Sequence, residues 1–409
     1  MPLVLLLLSL AEADAATGSS RVPQPAAIAS ESLASESLAT DSLATLAADL
    51  RRDIGFLASD ALSGRGRGTE GGFATAAFLA GHLRAAGWEP FDGAYRHEFG
   101  GRGFADRDDR RMQNVLAVSR TSRGPDDPYL VVSAHYDHVG DGLMGGSRGP
   151  RGLVHNGADD NASGTSVLLS LARSLAARPL PPTARPVLLA FFDGEEGGLL
   201  GSRHFVRERL ARPTTTPEDT AVAPVAVAAL LNLDMVGMLK DDRLFVYGAS
   251  TSPAMATLLP AAHELALEPV LLAEHCPASD HMPFFEQKVP YLLLHTGLHE
   301  TYHSPRDDAD RLNFEGLARI ARLSDRLVRS LATARAIPFA SESEQLPMRR
   351  RPPAQVDTLT PDRLLDGAAL ERGIVRTQDL TPADASDGSS TSDGASASDR
   401  TRAAGTGQP

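Results

Sequence analysis

The sequence predicts an α/β protein: a single three-layer α/β/α sandwich built on a mixed, largely parallel central sheet. Three observations predict it. Short apolar runs alternate with amphipathic helical patterns through the middle of the chain, as strand–helix–strand units do. The run Pro186–Phe192 has no polar alternation, which suits a strand covered on both faces. Polar segments rich in carboxylates and histidines sit just past the ends of apolar runs, where open α/β sheets gather their ligands.

The elements follow in order. Residues 71–86 place Phe73, Ala77, Ala80 and Leu83 on one helical stripe, with Gly87 where a C-terminal cap belongs. Apolar runs at 115–119 and 129–134 read as strands, and 163–177 as a helix with Val167, Leu168, Leu171 and Leu175 inward. Strands at 186–192, 226–233 and 291–295 then alternate with helices at 199–210, 253–265 and 313–334. The Thr/Pro-rich stretch 212–224 reads as a surface loop. No gap is wide enough for an inserted domain, so the folded body is residues 43–338.

Outside that body the composition changes. Val4–Leu8 is apolar, far too short to span a bilayer, and an Ala-x-Ala pattern follows within Ala11–Ala16. Residues 1–16 therefore read as a signal peptide and the protein as exported, periplasmic or secreted, although no basic residue precedes the run. Residues 17–42 form a Ser/Ala-rich linker, and 339–409 a Ser/Asp/Gly/Ala/Thr tail expected to be disordered, because it has too little apolar area to offset its ordering entropy. No other stretch is apolar enough for a transmembrane helix.

With 409 residues, 42% of them hydrophobic, the chain can bury a large core. A net charge of -12 argues against nucleic acid as a partner, which would demand clustered cationic surface. Cys276 is the sole cysteine, so an intrachain disulfide and a thiolate zinc site are both excluded. It reads as a small, partly buried apolar side chain, with a place on a pocket rim near Ser279-Asp280-His281 as the alternative.

Five polar segments carry the chemistry: His135-Tyr136-Asp137-His138, Asp159-Asp160-Asn161, Asp193-Gly194-Glu195-Glu196, Asn232-Leu233-Asp234 and Tyr302-His303-Ser304. Each alone is ordinary, since strand ends, helix caps and solvated loops all use these residues. Together they are not. Carboxylates that converge repel one another unless a cation neutralises them, and a pair of divalent ions is the economical solution. Imidazole and carboxylate donors without thiolate suit zinc and leave cobalt or manganese as alternatives. A bridging carboxylate is needed between paired hydrolytic ions, and Asp160 is the choice. His135 and Asp234 would hold one ion, Glu196 and His303 the other, leaving room for a shared water or hydroxide. Asp137 would fix the second ring nitrogen of His135. Adjacent side chains leave a loop in different directions, so only one of Glu195-Glu196 can readily ligate; Glu195 becomes the general base.

These segments carry a family resemblance. The stretches Ser133–Gly140, Gly157–Gly164, Phe192–Gly197, Asn232–Gly237, Ser279-Asp280-His281 and Tyr302–Asp307, with Phe56–Arg65 upstream, resemble the co-catalytic zinc aminopeptidases related to the secreted enzymes of Vibrio and Streptomyces. That family also contains glutaminyl cyclases and glutamate carboxypeptidases. The resemblance covers roughly 46–331 and implies a zinc peptidase fold, two zinc ions per chain and peptide substrates. It implies the same five ligands (His135, Asp160, Glu196, Asp234, His303), Glu195 as base, Asp137 as orienting carboxylate, and a cis peptide at Asp160-Asn161. The expected activity is that of an aminopeptidase, with Met235, Met282, Phe284, Phe285 and Tyr302 as candidate walls of the substrate pocket. A cyclase, in which one zinc can suffice, or a carboxypeptidase-type hydrolase is the alternative on the same scaffold. A binding protein without catalysis, as in transferrin receptors, is a third reading, but no ligand position is substituted here.

Overall fold

The computed structural model describes residues 42–348, apart from 104–108, 121–126, 145, 211–223 and 277. The signal-peptide reading, nearly all of the linker and the Thr/Pro-rich loop, and the tail beyond 348 therefore lie outside the described residues.

Helix α1 (Leu43–Leu57) begins at Ser42, whose hydroxyl accepts the Thr45 N–H at 3.1 Å. Helix α2 (Glu70–Ala85) is capped by Thr69 and is followed by Gly87 at φ +78. Next come strands β1 (Glu89–Pro90), β2 (Arg96–Gly101), β3 (Arg110–Val118) and β4 (Tyr129–His135). Beyond them lie α3 (Gly164–Ala177), β5 (Val187–Phe192), α4 (Leu200–Arg209), β6 (Val227–Leu233) and β7 (Arg243–Tyr247). The chain closes with α5 (Pro253–Ala256), β8 (Glu268–Leu271), α6 (His281–Glu286), β9 (Tyr291–His295) and α7 (Phe314–Thr333).

The strands form one nine-stranded sheet in the order β1-β3-β5-β4-β6-β9-β7-β8, with β2 also paired to β3. Its parallel heart is β5-β4-β6-β9; β3 joins β5, and β7 joins β9, in the antiparallel sense. In register, His135 lies opposite Phe192, Ser133 opposite Asn232 and Leu233 opposite Leu294. The carboxyl ends of the four central strands are thus level, and the loops that leave them emerge at one edge.

Alternate residues of each strand feed two cores. Val115, Leu130, Val132, Leu189, Leu231 and Leu292 pack beneath α1, α2, α3 and α7. Leu116, Val131, Leu188, Leu230 and Leu293 face α4 and α6 on the other side. These two buried faces make the middle layer of the sandwich.

Two expectations need correction. The helix expected over 253–265 breaks into α5 and a tighter 3₁₀ stretch at Leu259–Leu265, because Pro260 lacks the N–H and crowds the preceding turn. The tail boundary at 339 falls short: residues 339–348 continue as described chain, with Phe339 against Phe285, Leu346 buried and the Pro347 carbonyl accepting from the His275 N–H.

Candidate metal centre

The level strand ends bring the sequence segments together. His135 closes β4, Asp193–Glu196 come directly after β5, Asp234 comes after β6, and the loop after β9 carries His303. Asp160 sits in the turn 158–163 that leads into α3. Two clusters of donor atoms result, each within reach of a single ion: His135, Asp160 and Asp234 in one, and His138, Asp160, Glu196 and His303 in the other. Asp160 belongs to both. Every member is at least nine-tenths buried.

The histidine tautomers decide whether a cation fits. His303 Nδ1 lies 2.8 Å from the Gly146 carbonyl, which can only accept, so the proton sits on Nδ1. That leaves Nε2 aimed at Asp160 Oδ2 (2.9 Å) and Glu196 Oε1 (3.0 Å). His135 repeats the pattern, with Nδ1 3.2 Å from the Asp137 carbonyl and Nε2 facing Asp160 Oδ1 (3.3 Å) and Asp234 Oδ1 (3.5 Å). A ring lone pair against two carboxylates is repulsive unless a cation lies among them. Without an ion, protons supply that charge. Burial alone would lower both rings; Glu195, Asp137 and Asp160 instead hold His135 well above its usual range, and Glu196 and Asp160 do the same for His303. The donor set of imidazoles and carboxylates therefore fits zinc.

The surroundings hold this edge with backbone-directed bonds. Asp307 accepts the N–H groups of Asp159 (3.0 Å) and Asp160 (3.1 Å), and burial beside Asp159 pushes its own pKa up to about 7. Asp159 accepts the Gly237 N–H at 2.6 Å and meets His299 Nε2 at 3.1 Å. Asn161 donates to the Leu233 carbonyl (2.9 Å) and accepts from Met235 N (3.2 Å), tying the bridging turn to the strand end that presents Asp234. A Cβ at Gly164 would stand 2.5 Å from that same carbonyl, so only glycine lets α3 approach β6 this closely. The Asp160–Asn161 peptide is cis. Arg65, wholly buried, donates to the carbonyls of Leu57 (2.5 Å), Asn156 (2.6 Å), Tyr136 (2.8 Å) and Gly157 (2.8 Å); burial lowers its pKa to about 10.

Asp137 has a second job beside the expected one. Its Oδ1 lies 3.7 Å from His135 Nδ1, whereas its two carboxylate oxygens accept the N–H groups of Glu195 (3.0 Å) and Glu196 (3.3 Å). It positions the acidic loop, and both its main-chain carbonyl and its carboxylate act on the histidine. Glu195 itself stands outside both donor clusters. Burial first, then Glu196, Asp234 and Asp280 nearby, raise its pKa well above the carboxylate range, against the pull of His135.

The candidate pocket residues divide. Tyr302 stacks on His303 at 3.8 Å between ring centroids, beneath the Arg148 guanidinium, and Met235 is buried beside Asp234. Met282, Phe284 and Phe285 belong to the core under α6 instead; Phe284 stacks on Phe205 at 5.9 Å, and Phe285 packs on His275 and Tyr291. They lie on a short helix laid on an apolar sheet, against which its large side chains pack. Cys276 is buried in that same core rather than on a rim. His138 is the residue that sequence reasoning left without a role. Its signal was present three residues after His135, but only the turn of the chain shows that it faces Glu196.

Residues 114–328 match the sequence pattern of Peptidase family M28. Aminopeptidase YwaD of Bacillus subtilis is 28% identical over 215 residues, a match spanning 50% of this chain and 41% of that relative, so the chain covers under half of YwaD's length. Among solved structures, a zinc aminopeptidase from Bacillus subtilis aligns with a TM-score of 0.53 at 17% identity, covering 74% of this chain and 98% of the other. The glutaminyl cyclase of Porphyromonas gingivalis gives 0.55 at 19% identity, covering 70% and 97%. At such identities the likeness establishes a shared fold.

Proposed function

Because the chain belongs to Peptidase family M28, we propose that it is a zinc-dependent exopeptidase, an aminopeptidase that removes N-terminal residues from peptides. The observation that carries this reading is the pair of donor clusters sharing Asp160, with Glu195 beside them and uncommitted. His135, Asp160 and Asp234 would hold one zinc ion, and Asp160, Glu196 and His303 the second. Zinc bound there supplies a Lewis acid for the scissile carbonyl and lowers the pKa of water.

The chain's own groups do the rest. Glu195 takes a proton from the attacking water and returns it to the departing amine, a task suited to a carboxylate whose buried, acidic surroundings raise its proton affinity. Asp137 fixes the backbone from which Glu195 projects. Met235 and Tyr302 line the space beside the ligands, and the free α-amine of the substrate docks near the ions. The peptidase unit comprises residues 43–338 together with the ordered extension to 348. No described helix is long and apolar enough to cross a membrane. Export directed by residues 1–16 completes the proposal.

The likeness to a glutaminyl cyclase motivates one rival activity on the same site. An aminoacyl-anilide assayed against its N-acetylated form, beside a peptide with N-terminal glutamine, separates the two. The proposal expects cleavage of the free amine substrate and at least about 100-fold less of the acetylated one. Equal cleavage of both sinks the aminopeptidase reading, and cyclisation without cleavage selects the cyclase.

A further inference from the structure

The proposed roles leave His138 unexplained. Its ring is wholly buried, and its Nδ1 lies 2.9 Å from Glu196 Oε1 and 3.9 Å from Asp160 Oδ2. His303 Nε2 meets the same two oxygens, at 3.0 and 2.9 Å, and the two rings stand nearly edge to face with centroids 5.4 Å apart. On its far side His138 Nε2 has no partner, and a Cβ at Gly157 would stand 2.5 Å from the ring, so chain and ring are pressed together there. The imidazole is held in place by packing and commits to the cluster through Nδ1 alone.

We infer that His138 is a fourth protein ligand of the ion held by Asp160, Glu196 and His303, which closes that position with protein donors. This rests on the zinc peptidase reading above. Three physical arguments carry it. First, a tetrahedral zinc with bonds of about 2.0–2.1 Å spaces its donors about 3.3 Å apart. The four separations above, from 2.9 to 3.9 Å, bracket that value, and all four donor atoms lie within 4.8 Å of one another. Second, two carboxylates and two neutral imidazoles balance a divalent charge, which a buried site requires. Third, the companion cluster contains only His135, Asp160 and Asp234. Four protein ligands are the mark of closed zinc sites and three of sites that keep a position open. The two positions are then unequal: the His138 position retains its ion, and the His135 position is where water and substrate exchange.

The test is zinc binding to the chelator-stripped full-length protein, titrated against a chromophoric competitor, in the wild type, His138→Ala, His138→Asn and Asp234→Asn. The wild type is expected to load in two phases, the tighter belonging to the His138 position. Both His138 variants should weaken that phase by more than about 100-fold, beyond what loss of an orienting group causes, while Asp234→Asn should leave it intact. Asparagine can reproduce the hydrogen bond from Nδ1 to Glu196 but replaces an imidazole ligand poorly. Wild-type affinity in His138→Asn therefore overturns ligation in favour of orientation, and unchanged binding in His138→Ala overturns any metal role. X-ray absorption of the wild type carrying one equivalent of zinc needs no variant: two imidazoles per zinc are expected, and one overturns the inference. A protein that binds no zinc in any form removes the zinc reading itself, whereas two bound ions indifferent to His138 remove only this inference.

Discussion

Two acidic pairs stand at the same sheet edge, and they are used differently. Asp159-Asp160 and Glu195-Glu196 each place one carboxylate, Asp160 or Glu196, among the metal donors. The neighbour of Asp160 is locked: Asp159 accepts the Gly237 N–H and meets His299. The neighbour of Glu196 is held only through its backbone, by Asp137, and its carboxylate makes no hydrogen bond among the described residues. Burial in acidic company raises the proton affinity of Glu195. Adjacent carboxylates of the same type are thus a girder in one loop and an uncommitted group in the other. The difference lies in which N–H groups the surrounding chain offers.

The comparison can be broken experimentally. Glu195→Gln should lower kcat by about 10³-fold, the scale of a lost general base, with zinc content unchanged by elemental analysis. Loss of zinc from this variant would make Glu195 a ligand and erase the distinction. Asp159→Asn should do the reverse. It weakens zinc affinity by about 10–100-fold, as removal of an orienting group does, while the zinc-saturated variant keeps most of its kcat in the aminoacyl-anilide assay. A saturated variant as inactive as Glu195→Gln would mean that both neighbours serve chemistry.

The smallest expected effect concerns the scaffold beyond the edge. His281 is wholly buried against Tyr291, and burial lowers its pKa from 6.5 to about 3. A histidine that is neutral when folded and protonated when unfolded contributes stability that is full above pH 6.5 and is lost as pH falls towards 3. His281→Phe preserves the stack and removes the titration. Urea melts should show the wild type losing about 2 kcal/mol more than the variant between pH 8 and pH 5. Parallel losses would show that His281 does not titrate this way.

Much of this was legible in the sequence because two periodicities and a residue vocabulary speak directly. The central strands are apolar throughout, as in Val187–Phe192, and cannot be confused with solvated loops. The five expected ligands stand at strand ends or turns where such residues cannot be buried without a reason. The outer strands β2, β7 and β8 were illegible. Strand β2, with Arg96, His97 and Glu98 beside two glycines, has one buried position in six, so neither apolar content nor alternation announces it. Strands β7 and β8 are short and interrupted in sequence by the broken helix at Pro260. A second role of Asp137 is hidden for a different reason. Spacing suggests its histidine neighbour, but its bonds to the loop after β5, a contact 58 residues distant, exist only through the sheet order. His138 escaped for the same cause.

Arg65 has a consequence for how the protein comes into being. One guanidinium gathers four carbonyls from α1, the β4 exit and the approach to the Asp160 turn, and it is the permanent cation under a nest of carboxylates. The loops that present His135 and Asp160 are therefore fastened by the polypeptide, independently of any ion they later hold. Building this edge and filling it thereby become separable events.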